Sequence, residues 1–183
     1  KYAPPQGHLP LNSATVRPNN VIARPDQYVG ITTWKGDGNT GRQIRTLSFS
    51  PDLVWIKQSS ASRAHAWFDT VRGANKRLQS STTNGETTHT DQMSAFLSNG
   101  FTVEDNNTVN VLDGIYRGFC WKAGGSKNTF NIDDVGYATA AAAGLDGGTI
   151  NPTGASIGTK QGFSIIGYTG TDNTSDTFAH GLT

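Results

Sequence analysis

A single cysteine, one methionine and two glutamates leave several chemistries without material in this chain. One cysteine, Cys120, closes no intrachain disulfide, which excludes a disulfide framework. It stands between Phe119 and Trp121, with no local histidine or helix start to activate it. It reads as a small buried hydrophobe rather than a nucleophile. Glutamate occurs only at Glu86 and Glu104, both in loop-like sequence. Asp133 and Asp134 are adjacent and would face opposite sides of a strand. No acid pair for glycoside hydrolysis stands out. His8, His65, His89 and His180 are scattered and match no zinc spacing; His89 with Asp91 sits in loop-like sequence where solvation is the simpler reading. Nucleophile-elbow and P-loop patterns are missing. A net charge of +1 offers no basic surplus for nucleic acid or anionic lipid. No apolar run approaches the ~20 residues that span a bilayer. The expectation is a protein with no catalytic set, no cofactor, no metal, no nucleic-acid partner and no membrane insertion.

What is present is glycine, 22 residues of it, and apolar residues at 34% of the chain. That is enough to fold and too much glycine for a mainly helical protein. Tyr28 to Lys35 is a strand-like run ending in the turn composition Gly36 to Gly41. Gln43 to Phe49 alternates. Asp52 to Lys57 carries four consecutive apolar residues, as in a strand covered on both faces. Ala66 to Val71 predicts a further strand closed by Arg72-Gly73. Gln92 to Leu97 reads as a helical turn or a strand, and Asn99-Gly100 as a type I′ turn. Phe101 to Val103 and Val109 to Leu112 flank a polar turn, and Ile115 to Lys122 reads as a central strand. Asp37-Gly38-Asn39 and Asp172-Asn173 have calcium-ligand types but are more simply turns. Short strands at short spacing predict an all-β fold, an antiparallel β-sandwich of jelly-roll or lectin-like kind. The predicted core is Leu53, Trp55, Ile56, Phe101, Phe119, Trp121, Phe163 and Ile165.

Residues 1–26 hold Pro4, Pro5, Pro10, Pro18 and Pro25, five of the seven prolines, and predict an extended arm that lies along another domain or subunit. Residues 27–125 form the predicted sandwich. Residues 126–161, rich in alanine and glycine, read as a connector, with Ala140 to Ala143 the one helix start. Residues 162–183 open a second repeat or complete the sandwich. Gly162 to Thr174 echoes Tyr28 to Thr40, with Tyr168 in the place of Trp34; this is either a duplicated unit or convergent hairpin chemistry. The chain begins at Lys1 rather than Met and ends just after a strand-like segment, so it reads as a fragment of a longer protein.

Six ordered segments carry a family resemblance: YAPPQG at Tyr2 to Gly7, SPDLVWIK at Ser50 to Lys57, FDTVRGA at Phe68 to Ala74, SNGFTV at Ser98 to Val103, FCWKAGG at Phe119 to Gly125 and GFSIIGYTG at Gly162 to Gly170. Together they span almost the whole chain. The chain resembles a domain of unknown function found in tail-fibre and related virion proteins of tailed bacteriophages, notably marine ones. The resemblance implies a location in the phage particle and a structural or receptor-contacting role. It transfers no catalytic residue. Partners would be other virion proteins and copies of the chain itself, commonly as a homotrimer, with a host surface glycan as a further candidate.

Four residues are candidates for a surface, ligand or interface contact. Trp34 and Trp67 are the aromatics expected outside the core, while Trp55 and Trp121 are expected within it. Asp69 and Arg72, three apart, form either a polar pocket for a sugar hydroxyl or, more simply, an ion pair that locks the turn before Gly73. Two further functions remain open: a glycan-binding or glycan-degrading domain, and a head-decorating protein.

Overall fold

The computed structural model describes residues 22–182. The chain runs through β1 (Val29–Lys35), β2 (Arg42–Ile44), β3 (Leu53–Gln58), β4 (Ala66–Asp69), β5 (Gly73–Leu78), β6 (Thr87–Thr88), β7 (Met93–Leu97), β8 (Gly100–Val103) and β9 (Ile115–Trp121). It continues through β10 (Phe130–Ile132), β11 (Val135–Tyr137), β12 (Gly154–Gly158) and β13 (Phe163–Gly167). The fold is all-β. The one helical element among the described residues is a 3-10 turn at Pro25–Gln27. The first 21 residues, which hold most of the proline-rich arm, lie outside the described residues.

Three sheets form. Six strands order as β1-β9-β3-β4-β5-β6, three as β2-β8-β7 and four as β11-β10-β12-β13. All pairs are antiparallel except β10 with β12. Strict alternation sorts the side chains of the large sheet. Thr32, Trp34, Val54, Ile56, Ala66, Phe68, Tyr116 and Cys120 point to the face that meets Ile44, Met93, Phe101 and Val103 of the three-stranded sheet. Small residues on β9 make this packing fit. A Cβ on Gly118 would lie 3.0 Å from Thr32, 3.2 Å from Trp34 and 3.3 Å from Phe101, so glycine leaves room for both rings. Trp34 stacks on Tyr116 at 5.4 Å and meets Phe101 edge-on at 5.7 Å, while its indole N–H donates to Val109 O.

Several sequence expectations change. Leu53, Ile56 and Phe101 are buried as expected, whereas Trp55, Phe119, Trp121, Phe163 and Ile165 are half-buried. Gln43 to Phe49 yields only the short β2, and Val109 to Leu112 is a turn. Gln92 to Leu97 resolves as strand β7. The β7–β8 hairpin turns through Ser98 and Asn99, because Leu97 pairs with Gly100, and Asn99 does not take positive φ. A type I′ turn at Asn99-Gly100 is therefore wrong. Gly100 is needed for close approach instead: a Cβ there would fall 1.7 Å from Ile44 O.

Residues 126–161 are not a connector. They contribute β10, β11 and β12 to the four-stranded sheet, which β13 completes around Phe130, Leu145, Ala155 and Ile157. Ala140 to Ala143 forms turns rather than a helix. The echo of β1 in β13 stops at turn chemistry. Trp34 lies inside β1 in the core, while Tyr168 follows β13, is 52% exposed and stacks on Phe178.

Candidate functional site

The face of the large sheet that turns away from the core carries its own pattern. Reading the registers across, Ile31, Phe119, Trp55, Trp67 and Leu78 stand opposite one another on β1, β9, β3, β4 and β5. Five strands at the usual spacing make a row of about 19 Å. The rings of Trp55 and Trp67 lie 5.1 Å apart and those of Trp55 and Phe119 5.2 Å. These are close to the strand spacing, so the rings stand as a rack with neighbours on both sides of Trp55. The Trp55 indole N–H donates to His65 Nδ1 at 3.1 Å, which fixes the ring. The row is open to solvent at its ends, with Ile31 64% exposed and Leu78 39%.

Two residues along each strand, on the same face, a second row runs Val29, Trp121, Leu53 and Asp69. The four-stranded sheet covers part of it, with Phe163 of β13 6.4 Å from the Trp121 ring. Where that cover ends, a cleft of about 500 Å³ opens between β13 and the β4–β5 region. Leu53, Trp67, Leu78, Phe163 and Ile165 give it an apolar lining, joined by Asp69, Arg72, Gln79, Ser80 and Ser164. Trp67 and Leu78 belong to both row and cleft, so the two form one continuous apolar surface.

Three of the four residues singled out in the sequence meet here: Trp67, Asp69 and Arg72 all line the cleft. Trp34 does not. It is 7% exposed in the core on the opposite face, so it offers nothing to a ligand or subunit. The Asp69–Arg72 pair is a turn lock. Asp69 accepts from the Arg72 backbone N–H at 2.9 Å and from Arg72 Nε at 2.6 Å, and the guanidinium also donates to Lys76 O and Trp67 O. Both partners are consumed by the protein, and Glu86 adds a 3.5 Å contact to the same guanidinium. The Trp67 Nε1 atom is buried without a hydrogen-bond partner. The chain reading missed the far wall, Phe163 to Ile165, because it comes from the other sheet. It missed the row as well, since period-two alternation groups Trp55 with Leu53 and Lys57 without saying which face stays open.

Elsewhere the titratable groups serve structure. Asp52 is 1% exposed and accepts from Ala123 N–H, Gly125 N–H and Thr70 Oγ1. Burial pushes its carboxyl above the usual carboxylate range, against the pull of those donors. Burial likewise pushes the Cys120 thiol up to about 12, which leaves it protonated at neutral pH. Among the described residues no three His, Cys, Asp or Glu side chains gather to hold a metal ion.

A profile of one protein family, described as a domain of unknown function (DUF7483), matches residues 24–183. No curated protein and no solved structure matches the chain.

Proposed function

Since the chain belongs to that family, whose description states no activity, we propose from its geometry and from the resemblance described above that it is a non-catalytic structural and receptor-contacting segment of a bacteriophage virion appendage, a tail fibre or spike. The observation that carries the contact role is the continuous apolar surface formed by the aromatic row and the cleft. Monomeric proteins rarely leave such a surface open without a partner. Its charged pair, Asp69 with Arg72, is tied to the turn it locks, so the charges serve the fold and the surface offers mainly apolar contact. The placement in a phage particle rests on the six matching segments alone. On this reading the facing six- and three-stranded sheets are a β-sandwich, as in many contact modules.

Stacking of sugar rings is the weaker reading of the row. Trp55 has a neighbouring ring on each side, so its faces are taken up. The test of the main reading is location. Antibody to residues 24–183 should label purified particles at a tail appendage, and sedimentation should give an assembly of three chains. Labelling of the head surface moves the role to decoration. Absence of label from intact and disrupted particles refutes a virion role, and release of reducing ends from host glycan refutes the non-catalytic reading.

A further inference from the structure

The large sheet has an open edge at β1. Among the described residues β1 pairs with β9 alone and is the last strand on its side of the sheet. Lys122 N–H donates to Tyr28 O, and Gly36 N–H donates to Gly114 O. These bonds continue the β1–β9 register by one step at either end. Bonded pairs recur at every second residue of an antiparallel ladder, so Gly30, Thr32 and Trp34 turn their backbone groups toward β9. Val29, Ile31 and Thr33 turn theirs out of the sheet. Arg42 donates to Lys35 O, so the open stretch ends before Lys35. Nothing in the strand guards this stretch. The register with β9 is unbroken by a bulge, and Val29 to Trp34 contains neither proline nor charge. An unguarded edge of this kind accepts an added strand.

We propose that a second copy of this chain adds its own β1 to this edge, antiparallel about a two-fold axis at Ile31. Ile31 then faces Ile31 of the second copy, and Val29 faces its Thr33. Each facing pair exchanges two backbone hydrogen bonds, because all these residues turn their groups outward. Self-complementarity is what a two-fold contact requires, and the edge supplies it. No like charges meet, since the paired stretch has none. Val29, Ile31 and Thr33 are β-branched and stand on one face, where such side chains pack well across strands. On the other face Gly30 and Thr32 are small and leave room for a neighbour. The aromatic row favours the same axis. Ile31 is its most exposed member at 64%, and pairing at Ile31 sets the row end to end with its copy, so the apolar strip runs on through both sheets. A single strand edge buries less than the roughly 800 Å² per partner of a stable interface, so the association is weak and grows with concentration. Being two-fold, it lies outside the three-chain assembly proposed above and doubles whatever assembly carries it.

Sedimentation of the full chain over a range of concentrations, with amide exchange resolved by residue, tests the proposal. The sedimenting mass should double as concentration rises, from three chains to six, or from one to two where the three-chain reading fails. In the doubled form the Val29, Ile31 and Thr33 amides should exchange about tenfold more slowly, while those of Gly30, Thr32 and Trp34 stay slow throughout. Thr33→Pro removes an outward N–H that the ladder to β9 does not use, and it should abolish the doubling. Ile31→Lys, which sets two cations face to face, should do the same. Slow Gly30, Thr32 and Trp34 amides in both variants separate loss of pairing from loss of the fold. Leu78→Asp, at the far end of the row, should double as the native chain does. A mass that never doubles, or doubling that survives Thr33→Pro and Ile31→Lys, overturns the proposal. Protection of the outward amides already complete at low concentration gives the edge to another part of the same chain or assembly and overturns it. Loss of doubling in Leu78→Asp moves the contact to the face of the sheet and overturns it too.

Discussion

Between the six- and three-stranded sheets, thirteen buried hydrophobic side chains meet among the described residues, including Trp34, Phe68, Met93, Phe101 and Tyr116. Inside the four-stranded sheet only Phe130, Leu145, Ala155 and Ile157 do. The second sheet is held by other means. Ser156 Oγ accepts from Gly124 N–H and donates to Gly125 O, and Gln161 Nε2 donates to Lys122 O and Ala123 O. The Asn131 side chain accepts from Asn128 N–H and donates to Asn128 O. Asp52, at the start of β3, reaches across to Ala123 and Gly125. One region is stabilised by side-chain volume and the other by close backbone approach and polar clasps. A segment rich in glycine, alanine and asparagine can therefore be ordered structure, provided a neighbouring core supplies the wall it fastens to.

The contrast is open to breaking. The largest effect should come from Phe68→Ala, which empties a fully buried ring site and should cost about 3–5 kcal/mol in urea unfolding, melting both regions together. Leu145→Ala should cost about 2–3 kcal/mol and speed amide exchange in β10 and β12 while β3 and β9 stay protected. If Leu145→Ala loosens the large sheet as much as Phe68→Ala does, the two regions are one cooperative unit and the comparison fails.

Next in size is the clasp. Asp52→Ala leaves the Ala123 and Gly125 N–H groups without their acceptor and should cost about 3 kcal/mol, felt first as faster exchange in β10 to β13. Retained protection there would show that side-chain packing alone holds the second sheet.

The same carboxyl sharpens the comparison through pH. Its folded value is raised by burial, so the folded chain holds the proton more tightly than the unfolded chain. That contribution is fully present below the ordinary carboxylate value and is lost as pH rises through the raised one. The stability of the native chain relative to Asp52→Asn should therefore be highest in acid and fall with rising pH across that window. An advantage that grows with pH would mean that the donors outweigh burial.

The smallest effects separate the glycines. A Cβ on Gly124 would fall 2.3 Å from Ile157 O and 2.5 Å from Asn131 O, at the seam between the regions. Gly124→Ala should cost about 1–3 kcal/mol, as overpacking does. Gly170 has no atom within 4 Å of that position, and Gly170→Ala should change stability by less than about 0.5 kcal/mol by the same urea titration.

The body was largely legible in the chain, since β1, β3, β4 and β9 fall where alternation and turn residues place them. Of the second sheet, β13 falls where a strand was expected after Gly162; β10 to β12 were not legible, because they are three to five residues long and β10 pairs in parallel with β12 across a long connection. The candidate site was half legible. Trp67, Asp69 and Arg72 share one turn region, so sequence spacing already groups them. Phe163 to Ile165 reach the same cleft from the other sheet, and no local pattern announces that.

Alternation by itself determined that Phe119 and Trp121 share one face of β9 while Tyr116, Gly118 and Cys120 share the other. It left undetermined which face would be covered, since the period of two is the same either way. By bulk, the face with Phe119 and Trp121 looked like the core. Tertiary structure decided the reverse. The three-stranded sheet brings Phe101 onto the face with Gly118, and Trp34 from β1 fills the rest. Small residues on β9 were the complement of large ones far away in the chain, and only long-range sheet pairing brings the two together. The aromatic side was thereby left outside, where it forms the row that leads to the cleft.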